Sequence, residues 1–203
     1  MKKLPHCDRV FELFFDRWYD DDDRRRKLFE ATRPDLLEDP GLAGRDPRKI
    51  SPLTDECQDE VLGQVDRMVD AARGDWPLYL DVREPMDIEW IRAFDAHYDR
   101  KKVLDLLTRS DPADLSNDLL VVSFEFGAMI GFVMRQRSPT LRWLAEWPYW
   151  ESSIFDGRTG HIILVFHGAI KKMSSYGIDD GFADKTEACL QLLDDEAGGK
   201  KRR

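Results

Sequence analysis

The chain has 203 residues, of which 42% are apolar, 11% aromatic and 35% charged, with a net charge of −9 and three cysteines. That length and apolar content fit one medium domain with a real core and argue against disorder throughout. The acid excess disfavours nucleic-acid binding, and three scattered cysteines exclude a disulfide framework or a zinc ribbon.

The charge is unevenly spread. Residues 1–50 hold 12 basic and 12 acidic side chains, residues 51–199 hold 15 and 28, and Lys200 to Arg203 return four positive charges. An acidic body fits a basic protein partner.

Near the N-terminus, Val10, Phe11, Phe14 and Trp18 fall at helical spacing and predict a helix over 6–19. Asp8, Arg9 and Glu12 interrupt any apolar stretch there, so no signal peptide is expected and a reducing cytoplasm fits. Residues 20–27, DDDDRRRK, set four acids four positions ahead of four bases, the favourable order for ion pairs on a solvated helix. Mutual neutralisation weakens the alternatives, a metal site on the aspartates or a phosphate site on the arginines. Pro34, Pro40, Gly41, Gly44, Pro47 and Pro52 mark a linker. The expected division is therefore an N-terminal helical arm and linker over 1–45, an α+β domain over 46–197 and a flexible basic tail over 198–203.

Val61, Leu62, Val65, Met68, Val69 and Ala72 form one stripe of a long helix. Asp55, Glu56, Asp59 and Glu60 crowd its positive end, and Gly74 and Pro77 close it. "WPLYLDV" at 76–82 reads as a short strand or extended connector. Asp87 suits an N-cap for a helix carrying Ile88, Ile91, Phe94 and Tyr98 and continuing through Leu104 and Leu107. Asp111 and Pro112 signal a turn.

Residues 119–134, LLVVSFEFGAMIGFVM, are the most apolar stretch, with Glu125 inside and Asp118, Arg135 and Arg137 at its edges. A membrane helix needs about 20 apolar residues. This run has 16, so a buried core helix is expected. Gly127 and Gly131 each cost about 1 kcal/mol of helix propensity, so close packing over them is expected to offset the loss.

After this helix, "LRWLAEW", "YWESSIF" and "HIILVFH" read as three antiparallel strands, with "DGRTG" as a turn. Residues 168–176 are either more strand or a short helix. Phe182, Thr186, Cys189, Leu190 and Leu193 predict a final helix. The fold class is therefore α+β, several helices packed on a small antiparallel sheet of three or four strands.

No GxxxxGK[ST], GxGxxG, HExxH or GxSxG motif occurs. His161 and His167, six residues apart on one strand, would lie about 20 Å apart and could not share a metal. Cys7 and His6 sit near a terminus. Cys57 lies among acids, which would raise a thiol pKa, and Cys189 falls on an apolar stripe. No catalytic residue, metal or cofactor is expected. The aromatic run around Trp143, Trp147, Tyr149, Trp150 and Phe155 serves either as core filler or as interface anchors. On the second reading Glu146, Trp147, Tyr149, Trp150 and Glu151 form the partner-binding surface.

The pattern FGAMIGFVMRQRSPTLRW, then GHIILVFHGAIKKMSSYG, then DDGFADK carries Gly127, Gly131, Trp143, Lys171 and Lys172. It resembles small bacterial domains of the toxin-immunity and accessory type, over the C-terminal half of the chain only. The resemblance implies a cytosolic binder of a toxin rather than an enzyme, and carries over no catalytic residue. The alternatives are an enzyme with a small-molecule site between helices and sheet, with Glu125, Arg142, His167 and Lys171 as first suspects, or an oligomeric scaffold joined through the arm or the glycine helix.

Overall fold

The computed structural model describes residues 3–19 and 40–197. The DDDDRRRK segment, part of the linker and the basic tail lie outside the described residues. The helices are α1 (Cys7–Phe14), α2 (Pro47–Ile50), α3 (Asp55–Asp75), α4 (Ile88–His97), α5 (Arg100–Arg109), α6 (Asp118–Arg137), α7 (Val165–Lys172) and α8 (Phe182–Ala197). The strands β1 (Leu141–Leu144), β2 (Ser153–Asp156) and β3 (Ile162–Ile163) form an antiparallel sheet in that order. This is the α+β arrangement expected, with three strands.

Helix α6 is the hub. Asn117 caps it by accepting from the Leu120 amide at 3.1 Å. Arg135 and Arg137 occupy its last turn, where the dipole favours cations. Its apolar side chains point in all directions, as a fully enclosed helix requires, and α3, α4, α7, α8 and β1 pack around it. Among the described residues no helix is long and apolar enough to cross a membrane.

The two glycines of α6 work as their spacing implied. A Cβ on Gly127 would lie 2.4 Å from Phe166 Cδ1 and 2.9 Å from Phe166 Cα, so α7 crosses α6 at backbone contact. A Cβ on Gly131 would lie 2.2 Å from Trp143 Cη2, so the β1 indole rests on the bare helix backbone. Helix propensity is given up at both points in return for direct contact of α6 with α7 and the sheet.

Other local expectations hold. Asp55 and Glu56 fill the first turn of α3, and Asp87 caps α4 through the Glu89 amide at 3.0 Å. Phe182, Thr186 and Leu193 turn α8 into the core, with Cys189 and Leu190 half-buried.

Four expectations need correction. The helix from Ile88 does not run through Leu107, because Asp99 caps a new helix through the Lys102 amide at 2.9 Å. Residues 76–82 form no strand: Trp76–Leu78 make a 3-10 turn continuing α3, with Trp76 wholly buried. In "YWESSIF" the first three residues form a 3-10 turn, and the strand starts only at Ser153. In "HIILVFH" the strand covers two residues before α7 begins. Val165, Phe166, Ala169 and Ile170 are buried at helical spacing, so burial of that face outweighs the β-branched composition. The expected N-terminal helix is present and packs into the main core. Val10, Phe14, Phe15 and Tyr19 belong to the same core cluster as α6, and Phe15 meets Phe124 edge-on at 5.8 Å.

Candidate functional site

The predicted surface over 146–151 divides in two. Trp147 is exposed, at 44%. Glu146 and Tyr149 are half-buried, and Tyr149 packs on Phe124, Trp150 and Phe166. Trp150 and Glu151 are not docking residues, since only 4% and 9% of their surfaces remain accessible. The 3-10 turn following Pro148 points them inward, where Trp150 stacks on Phe124 with ring centres 4.8 Å apart.

Two residues before Trp147, the chain is tied to the segment that leads into α3. Ser51 Oγ donates to the Ala145 carbonyl at 2.7 Å, which ties the segment entering α3 to the end of the β1 strand region. The first turns of α3 then present Asp55, Glu56, Asp59 and Glu60, all exposed. Asp59 pairs with Arg48 at 2.6 Å. Among the described residues, Asp55, Glu56 and Glu60 form no ion pair. A second exposed apolar point, Leu78 with Tyr79, lies at the opposite end of α3.

A polar network joins three distant segments. Tyr19 donates its hydroxyl to Glu151 and accepts from Trp150 Nε1 at 2.8 Å. The other carboxylate oxygen of Glu151 lies 3.0 Å from His167 Nε2. Glu151 therefore orients the His167 ring from behind, the way a buried carboxylate fixes an imidazole.

His167 faces a cleft of about 440 Å³ between α1 and α7, lined by Cys7, Asp8, Phe11, Glu12, Ile170 and Lys171. Two of the four enzyme suspects, His167 and Lys171, thus share one cleft, four residues apart on one helix face. It lies between two helices rather than between helices and sheet. Burial, then the neighbouring Asp8 carboxylate, push the Cys7 thiol up, so it is not an activated nucleophile.

The other two suspects are elsewhere. Glu125 is 3% exposed inside α6 and accepts from Trp76 Nε1 at 2.9 Å. Burial pushes its pKa up to about 7 against the pull of the Trp76 bond, with Asp75 adding to the rise. Arg142 is exposed on β1, in a separate cleft of about 460 Å³ with Arg48, Arg135 and Asp66. Lys172 is buried 3.3 Å from Asp95 Oδ1, and Asp95 Oδ2 accepts from the Ala183 amide in the first turn of α8 at 3.0 Å. This pair fastens α4, α7 and α8 together. His161 and His167 do not share a strand.

Sequence reasoning missed the union of Tyr19, Glu151 and His167. Tyr19 and Glu151 are 132 residues apart, and no local pattern pairs them. A helical reading of 165–172 would have put His167 and Lys171 on one face. No protein-family model, curated protein or solved structure matches this chain.

Proposed function

We propose that the chain works by binding another protein, as an immunity protein that neutralises a bacterial toxin with a basic surface. The observation that carries this reading is the exposed Trp147, on a segment that Ser51 ties to the entry of α3, whose first turns present exposed acids. Aromatic anchors supply much of an interface's energy, and a single-sign rim raises the encounter rate. The predicted surface is thereby reshaped: Trp147, Glu146 and the edge of Tyr149 stay in it, Asp55, Glu56 and Glu60 join it, and Trp150 and Glu151 support it from beneath.

The test is co-expression with the product of a neighbouring toxin gene. Protection of the host and co-purification of the two chains are expected. Trp147→Ala should weaken binding about thirtyfold or more, the scale of a hot-spot residue. Charge reversal at Asp55, Glu56 and Glu60 should abolish protection while leaving the circular dichroism unchanged. Absence of protection and of co-purification would refute the toxin reading.

A second reading, an enzyme acting on a small substrate, is favoured by the cleft that brings His167, backed by Glu151, to Lys171. Turnover lost in His167→Ala, with the fold intact, would support it over the binding reading.

A further inference from the structure

The start of α1 holds a feature that neither reading uses. His6 Nδ1 lies 3.1 Å from Asp8 Oδ2 and 3.5 Å from Cys7 Sγ, and Cys7 Sγ lies 3.5 Å from Asp8 Oδ1. One ligand atom from each residue can be chosen so that all lie within 4.8 Å of one another. A tetrahedral Zn²⁺ with bonds of about 2.0–2.3 Å to nitrogen, oxygen and sulfur requires ligand atoms roughly 3.3–3.6 Å apart. His6 Nδ1 and Cys7 Sγ already stand at that spacing, and Asp8 comes close to it toward each of them through a different carboxylate oxygen.

Their backbone is held. Leu4 reaches the core, and the Pro5 carbonyl accepts from the Ser175 amide at 2.8 Å. The His6 carbonyl accepts from both the Arg9 and Val10 amides at 3.1 Å, which fixes the first turn of α1. The His6 ring rests on Tyr176, with centres 5.2 Å apart, and Lys171 Nζ lies over the other side chain of that pair, 5.6 Å from the Tyr176 ring centre. The three ligands are therefore anchored to the loop after α7, not carried on a free end. Cys7 and Asp8 also line the α1–α7 cleft that His167 faces.

We propose that His6, Cys7 and Asp8 form a binding site for a borderline divalent cation of the Zn²⁺ type, at the mouth of the α1–α7 cleft. Mixed imidazole, thiolate and carboxylate donors select such an ion over Mg²⁺ or Ca²⁺, which take oxygen ligands. Three protein ligands leave one coordination position for water or a group entering the cleft.

The experiment is titration of the full chain with Co²⁺, followed by absorption. The parent carries Cys57→Ser and Cys189→Ser, so that Cys7 is the sole thiol. Binding of one Co²⁺ should give a thiolate-to-cobalt charge-transfer band and visible bands of tetrahedral intensity, both bleached by Zn²⁺. Cys7→Ser should abolish the charge-transfer band, and His6→Ala and Asp8→Ala should each weaken binding tenfold or more. If the parent loses its helical circular dichroism, the same titration compares the native chain with single Cys7→Ser. Absence of the charge-transfer band, its persistence in Cys7→Ser, or unchanged affinity in both His6→Ala and Asp8→Ala would overturn the site.

Discussion

Glu125→Gln tests the interior of α6 most sharply. In the native state this carboxyl is sealed among apolar neighbours, and its pKa is raised from 4.5 to about 7. The folded chain therefore holds the proton at pH values where the unfolded chain has lost it. Stability from this group is fully present below the unfolded pKa and is lost as pH rises through the folded one. With those two pKa values, the loss between about pH 5 and about pH 8 comes to roughly 2–3 kcal/mol. Glutamine keeps an oxygen acceptor for Trp76 Nε1 and cannot ionise. Urea unfolding across that pH range should show the native chain weakening relative to Glu125→Gln, with the variant more stable at the alkaline end and nearly level at the acid end. Parallel pH profiles would refute the reasoning, because they mean that the carboxylate carries no burial cost.

Three further stability changes follow from the packing. Gly127→Ala gains about 1 kcal/mol of helix propensity but drives a methyl into the Phe166 backbone, for a net loss of about 2 kcal/mol by denaturant titration. Gly63→Ala, where the new methyl meets only Arg67 Nη1 at 3.8 Å, should instead stabilise by about 0.5–1 kcal/mol. Lys172→Met strands the Asp95 carboxylate and should cost about 3 kcal/mol, with Asp95→Asn in the same chain recovering part of it.

The sequence made some elements plain and hid others. Helix α6 was legible almost to the residue because its apolar run exceeds any strand length and is bounded by Asp118 and Arg137. Its glycines announced close packing because nothing else offsets two costly positions. Caps at Asp87 and the acids of α3 are local chemistry and read directly. The strand over 161–167 was misread because Ile162, Ile163, Leu164, Val165 and Phe166 are apolar in succession, which suits a strand and a buried helix equally. Tertiary packing against Gly127 decided the matter, and a sequence does not display that contact. The same gap separated Trp147 from Trp150: the two residues have similar composition and opposite fates, set by the turn at Tyr149–Glu151. The joining of Tyr19 to Glu151, and of Ser51 to Ala145, depends on long-range contacts that no spacing encodes.

The most direct measurement of the binding account is hydrogen exchange on the chain alone and in complex with its co-expressed toxin. New protection over Glu146–Tyr149 and the first turns of α3, falling away as salt is raised, is the predicted footprint. Protection centred instead on the α1–α7 cleft or on Leu78 and Tyr79, with Asp55 to Glu60 unchanged, would contradict it.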